Sequence, residues 1–242
     1  MKKILHSALI LTAVTQLYAA DIIIAPPPIE YSPLSVKGSQ ASVQLNYLSY
    51  DTDDYDMTGY GAGLSYRIKN AKDSFHNISF SYLYVDGDSS TSSQTSETDV
   101  YNLAYQYGKN LTDELIGFIG ASLNYSSLSS EVPYGSTSGS DIYVDTTIYA
   151  ASAGLQYEYG VSFGTLIPWV AGTYIAGGTS DVETYTYGPG GGKSTSSVDV
   201  DSFAAYQLGF DIYFDAIATS LSTMYQSSSD GDMTSINLSY NF

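Results

Sequence analysis

From residue 40 to its end the chain repeats one pattern, a run of alternating apolar and small polar side chains followed by a turn or loop. Val43, Leu45 and Tyr47 alternate with Gln44 and Asn46. Ile78, Phe80, Tyr82 and Tyr84 alternate with Ser79, Ser81 and Leu83, and Ile119, Ala121, Leu123 and Tyr125 with Gly120, Ser122 and Asn124. A period of two gives a strand one apolar face and one small polar face. Five segments repeat more closely, as small-or-amide, Leu, any, aromatic, polar, aromatic-or-Ile: Gly63 to Ile68, Asn102 to Tyr107, Gly154 to Tyr159, Gln207 to Ile212 and Asn237 to Phe242. The first four precede a short connection and the fifth ends the chain. Five further strands start near Gln40, Phe75, Glu114, Thr165 and Ile217. The pattern predicts five hairpins, hence about ten antiparallel strands, with eight as the alternative count.

Beyond the N-terminus no apolar run reaches the roughly 18 residues that a spanning helix needs. Strands of about ten residues do suffice to cross a bilayer when tilted, and only a closed barrel then satisfies every backbone group. The expected fold is therefore all-β, a transmembrane antiparallel up-and-down β-barrel. The connections differ by side. Lys69 to Ser74, Gly108 to Asp113, Gly160 to Gly164 and Tyr213 to Ala216 are short. Asp51 to Met57, Gly87 to Thr98, Ser129 to Ile142, Gly177 to Asp199 and Ser227 to Met233 are longer and rich in Ser, Thr, Gly and Asp. Short periplasmic turns and long external loops are the outer-membrane arrangement.

The N-terminus fits that destination. Lys2 and Lys3, an apolar stretch from Ile4 to Val14 and small residues at Ala19 and Ala20 form a secretory signal over residues 1–20, for export by the general secretory route. Residues 21–39 carry Pro26, Pro27, Pro28 and Pro33 and read as an extended periplasmic segment, either a lead-in or a plug of the lower mouth. Residues 40–242 form the barrel.

Charge narrows the function. The 242 residues hold 8 Lys plus Arg against 25 Asp plus Glu, a formal charge of −17, which repels nucleic acid. With no cysteine there is no disulfide, thiolate metal site or Cys nucleophile. Lys37, Arg67, Lys69, Lys72 and Lys109 fall at the short-turn end, whereas most acids fall in the long loops. Asp51 to Asp56 alternates acids as a calcium loop does, but Asp56 and Ala62 stand where an EF-hand needs Gly and Glu. Gly188 to Lys193 lacks the following helix of a phosphate loop. His76, the only histidine after the signal, follows a short turn, away from the acidic loops, so no His-based catalytic unit forms there. The reading assigns no catalytic, cofactor or metal residue.

The signal peptide, the Tyr-rich alternating strands and the terminal Ile236-x-Leu238-x-Tyr240-x-Phe242 resemble the small outer-membrane β-barrel proteins of Gram-negative bacteria, OmpA-like, OmpX-like or porin-like. That resemblance implies a location in the cell outer membrane, contact with its lipid and lipopolysaccharide, and biogenesis through periplasmic chaperones and the barrel-assembly machinery. The machinery would read Ile236, Leu238, Tyr240 and Phe242.

On the outward face the repeat aligns Tyr66, Tyr105, Tyr107, Tyr157, Tyr159 and Phe210 into a periplasmic aromatic girdle, and Trp169 is expected to join it. Leu64, Leu103, Leu155, Leu208 and Leu238 face hydrocarbon midway. The fifth repeat position points inward and holds Arg67, Gln106, Glu158, Asp211 and Asn241 at the periplasmic mouth of the lumen. Arg67 is expected either to bridge Glu158 or Asp211 or to join a solvated ring. Two functions fit a monomer of this kind. One is a narrow passive pore for ions or small polar solutes. The other is a non-conducting structural or surface-interaction barrel that meets other cells, ligands or lipopolysaccharide.

Overall fold

Each run of alternating side chains forms a strand whose two faces meet different surroundings, and hydrogen bonding to both neighbours leaves the sheet no choice but to close. The computed structural model describes residues 39–51, 55–70, 74–89, 95–133, 139–188, 190–228 and 231–242. The expected signal peptide and all but Ser39 of the Pro-rich segment lie outside these residues. The strands are β1 (Gln40–Asp51), β2 (Tyr55–Asn70), β3 (Ser74–Ser89), β4 (Thr95–Asn110), β5 (Leu115–Pro133), β6 (Gly139–Tyr157), β7 (Tyr159–Val161), β8 (Gly164–Tyr187), β9 (Gly192–Val200), β10 (Phe203–Phe214), β11 (Thr219–Ser228) and β12 (Gly231–Asn241). Short β7 resumes β6 after a break at Glu158, and β10 resumes β9 after a break at Asp201 and Ser202. The twelve segments thus make ten staves, the number that the sequence pattern predicts.

All pairing is antiparallel between neighbours, and β12 pairs β1 while β10 pairs β8, closing the barrel. The register fixes its shape. Following partners around the wall from Ile167 leads through Asp211, Ser222, Asn237, Asn46, Gly61, Leu83, Val100, Ser126 and Thr146 back to β8 at Ser180. The return lies 13 residues along β8, and one of these is the bulge residue Ala176, skipped where Tyr149 pairs Gly177 and Ala150 pairs Ile175. The shear is therefore 12. Ten staves at that shear tilt by about 40° and set the backbone on a cylinder of about 9–10 Å radius. Gly177 absorbs the bulge with a φ of 118°, a left-handed conformation that favours glycine.

The rim is uneven. The sequence reading placed loops at the long-connection end, but the chain there continues in strands, and β8 alone runs for 24 residues. Alternation persists through the Ser, Thr and Asp positions, with Ile142, Val144 and Val182 buried between them, so the backbone keeps its ladder instead of looping. The other end is tied by short turns. Thr112 Oγ1 accepts from Leu115 N–H at 3.0 Å, and Phe242 N–H donates to Ala41 O at 2.8 Å.

Candidate functional site

Alternation divides the side chains into an outward surface and a lumen, and each has layers. Midway up the outer face, Leu45, Leu64, Phe80, Leu103, Leu208 and Leu238 are exposed. Below them Tyr66, Tyr105, Tyr157, Tyr159, Phe210 and Tyr240 are exposed and Tyr107 is half-buried, all pointing outward. His76 stands among these rings, with Nδ1 at 2.6 Å from the Tyr105 hydroxyl and its ring centre 5.2 Å from that of Tyr107. Ile236, Leu238, Tyr240 and Phe242 all face outward, alternating with buried Asn237, Ser239 and Asn241.

A second aromatic row, which the sequence reading missed, lies above the leucines. Tyr47, Tyr60, Tyr101, Tyr149, Tyr174 and Tyr206 are all exposed. Tyr60 and Tyr66, and likewise Tyr101 and Tyr107, are six residues apart, an even spacing that keeps both on one face, and this was the signal available. At the height of that row, further tyrosines donate to carboxylates on the next strand: Tyr82 to Asp99 at 2.6 Å, Tyr125 to Asp145 at 3.1 Å and Tyr225 to Asp232 at 2.7 Å. Hydrogen bonds from Tyr225 and Ser227 hold the exposed Asp232 carboxyl below the usual range.

Trp169 corrects the expected girdle. It is 5% exposed and points into the lumen, where Nε1–H donates to Asp211 Oδ1 at 3.3 Å. Its parity decides this, because Ile167, Trp169 and Ala171 share one face of β8 while Leu166, Pro168 and Val170 share the other. Its partner Gly209 makes the room, since a Cβ there would overlap the indole.

The other predicted lumen residues lie at the short-turn end. At this shear, residues of equal height on adjacent staves are offset by about 1.2 positions from ladder partners. Arg67 is then level with Phe75, Ile116, Gln156, Ile167 and Asn241, all buried. The Arg67 guanidinium lies 4.7 Å from the Phe75 ring centre, close enough for a cation–π contact. The Phe75 ring fills the space that a side chain at Gly108 would take. Gln106 and Asp211 are buried slightly higher. Glu158, half-buried at the break in its stave, accepts from Gln156 Nε2 at 3.3 Å and donates its backbone N–H to Glu114 O at 2.8 Å. Asn241 donates Nδ2–H to Ala218 O at 3.2 Å and so fastens the last strand to a turn.

Above this floor, amides and hydroxyls pair across strands. Asn102 donates to Asn124 at 2.8 Å, and Thr173 to Gln207 and Gln207 to Gln226 at 3.3 and 3.0 Å. Level with these amides and above them the lumen also carries large apolar side chains, which the sequence reading of small polar interior positions did not anticipate. Fifteen buried side chains from nine strands form one contiguous cluster that rises from Phe118, Ile167 and Trp169 at the floor through Leu48, Leu83, Val100, Met224 and Met233 to Leu128, Val144 and Val182, with buried Ser and Thr among them. A cavity of about 30 Å³, room for about two waters, lies between apolar Leu48, Leu83 and Met233 on one hand and polar Asn46, Asn102 and Asn237 on the other.

This geometry has solved counterparts. No family model matches the chain, and no curated protein matches it in sequence. The translocator domain of the autotransporter NalP from Neisseria meningitidis superposes with a TM-score of 0.60 at 12% identity, covering 85% of this chain and 88% of that one. The transport unit of the autotransporter AIDA-I from Escherichia coli does so with 0.52 at 12% identity, covering 94% and 96%. The fold is that of an outer-membrane β-barrel. At this identity the likeness extends to the fold alone.

Proposed function

We propose that the chain is a non-conducting outer-membrane barrel whose task is to carry a raised β-wall at the cell surface. The contiguous apolar cluster that runs up the lumen from Ile167 and Trp169 to Val144 and Val182 carries this reading. An ion or polar solute would have to shed its water among Leu, Val and Met, at a cost of several kcal/mol for a charge. At the foot of that cluster, Phe75, Trp169 and the buried residues level with Arg67 fill the floor.

The two aromatic rows bound an apolar band. Four to eight residues of tilted strand separate them, about 10–20 Å of height, to which the rings themselves add. In this reading the wall and its carboxylates stand outside the cell above the lipopolysaccharide, and the short turns face the periplasm. The terminal strand from Ile236 to Phe242 serves the assembly machinery. His76 belongs to the lipid-facing girdle and has no catalytic task.

Planar-bilayer recording of the refolded protein tests the proposal. The expected result is a flat trace from low to high salt. Discrete current steps that scale with salt would return the chain to the narrow-pore reading.

A further inference from the structure

The rim has one cliff. Stave height climbs from β1, which ends at Asp51, through β3 and β5 to β8, which ends at Tyr187. The next stave, β9 with β10, then stands beside a short hairpin. β10 pairs β11 only from Tyr206 downward, while β9 pairs β8 from Gly192 to Val200 and no other strand among the described residues. One edge of β9 is therefore bare over nine residues, and all of them but Val200 are exposed. Edge strands are usually protected by proline, charge, a bulge or brevity. β9 has charges only at Lys193 and Asp199, near its ends, and between them five uncharged residues without proline, whose N–H and C=O groups point alternately to β8 and to the free edge.

A groove of about 540 Å³ runs beside this edge, on a face shared by Tyr143, Asp145, Asp181, Glu183, Thr195 and Ser197. Glu183 is neutralised by Lys193 at 3.0 Å. Asp145 and Asp181 stand directly opposite each other in the ladder, a like-charge pair that costs stability until a cation approaches. A strand added to β9 would lie two strand spacings, about 10 Å, from β8. A Lys or Arg leaning across the small Thr195 and Ser197 covers most of that distance, and the Asp181 side chain with the contact itself covers the rest.

We propose that the free edge of β9 docks an extended basic peptide segment, which adds as a further strand and points alternate Lys or Arg side chains toward Asp181, the nearer member of the Asp145–Asp181 pair. Main-chain hydrogen bonds supply the attachment and the carboxylates supply the preference for positive charge. This deepens the surface-interaction reading, since the edge stands on the raised wall.

Labelled nine-residue peptides titrated against the protein in lipid nanodiscs test it, with binding read by fluorescence anisotropy. Three peptides are compared: alternating Lys and Thr, alternating Glu and Thr, and the Lys peptide N-methylated at alternate residues to block one backbone edge. The Lys peptide should bind. The Glu peptide should not, and N-methylation should abolish binding while leaving the charge intact. The D145N/D181N variant, checked as folded by its heat-modifiable gel shift, should weaken the Lys peptide about three- to fivefold, as expected for two exposed ion pairs. Equal binding of the N-methylated peptide would show charge attraction without strand addition and overturn the proposal. So would binding of the Glu peptide, no binding at millimolar concentration, or self-association of the protein through β9. Current through the barrel bears on the non-conducting reading alone and would leave this result standing.

Discussion

The floor of the lumen rests on one close fit, between Phe75 and Gly108. A methyl group added at Gly108 would overlap the ring of Phe75, to which its three nearest neighbouring atoms all belong. The ring itself is wholly buried. Overpacking by one methyl costs about 1–3 kcal/mol, so Gly108→Ala should destabilise by that amount. Phe75→Ala should cost about 3–5 kcal/mol, to which loss of the Arg67 contact adds up to about 1–2 kcal/mol. In the double variant the new methyl occupies space vacated by the ring. The overpacking term vanishes, and the two losses should fall short of additivity by about 1–3 kcal/mol. The chain's single tryptophan, Trp169, lies in the same lumen and reports unfolding in urea titrations from lipid vesicles. Additivity within about 0.5 kcal/mol would mean that the two positions do not share space, and the account of a filled floor would fail.

Three further outcomes follow from the same geometry. Brominated lipids should leave Trp169 fluorescence nearly unquenched, whereas Tyr66→Trp in a Trp169→Phe background should be quenched strongly; the reverse order would put Trp169 back in the girdle. Tyr225→Phe should raise the Asp232 pKa toward the ordinary value of about 3.9, as read by carboxyl-carbon NMR titration. Because the folded carboxyl titrates low, its contribution is present above the unfolded pKa and is lost as pH falls through the folded one, so the variant should be less sensitive to acid than the parent. Gly177→Val puts a β-branched residue at a φ of 118° and should cost about 1–3 kcal/mol in the same urea assay; an unchanged midpoint would show that the bulge can relax.

The stave count and the lumen positions of Arg67, Gln106, Asp211 and Asn241 were legible because both follow from parity, and parity is carried by every residue of a strand. Trp169 was misplaced because residue type was weighed above parity: tryptophan favours membrane interfaces, but Ile167 and Ala171 fix its face. The raised wall was misread for a related reason. Ser, Thr and Asp suggest loops in composition, yet the alternation of Ile142 and Val144 with Asp141, Tyr143 and Asp145 continues the strand. The cliff at β9 was not legible at all. It depends on the difference in height between staves that are neighbours only after closure, and no local pattern in Gly192 to Val200 records what stands on its far side.

A barrel of ten staves with shear 12 lies between those that side chains fill unaided and those that hold water. This chain fills its lumen floor by pairing large with absent side chains. Phe75 lies over Gly108, Trp169 over Gly209, and Phe118 and Ala171 crowd Gly154. Each pair sets an aromatic ring where the opposing strand offers bare backbone, so the glycines spread through the wall act as sockets. Such sockets let large side chains fill the interior low in the barrel, below the raised wall. The same economy explains why the rim can be uneven. Pairing within the membrane is complete by Tyr206, and strand added beyond that height on one side alone need not disturb closure below. The bare edge of β9 is then a feature of the surface wall, separable by mutation from the stability of the barrel that carries it.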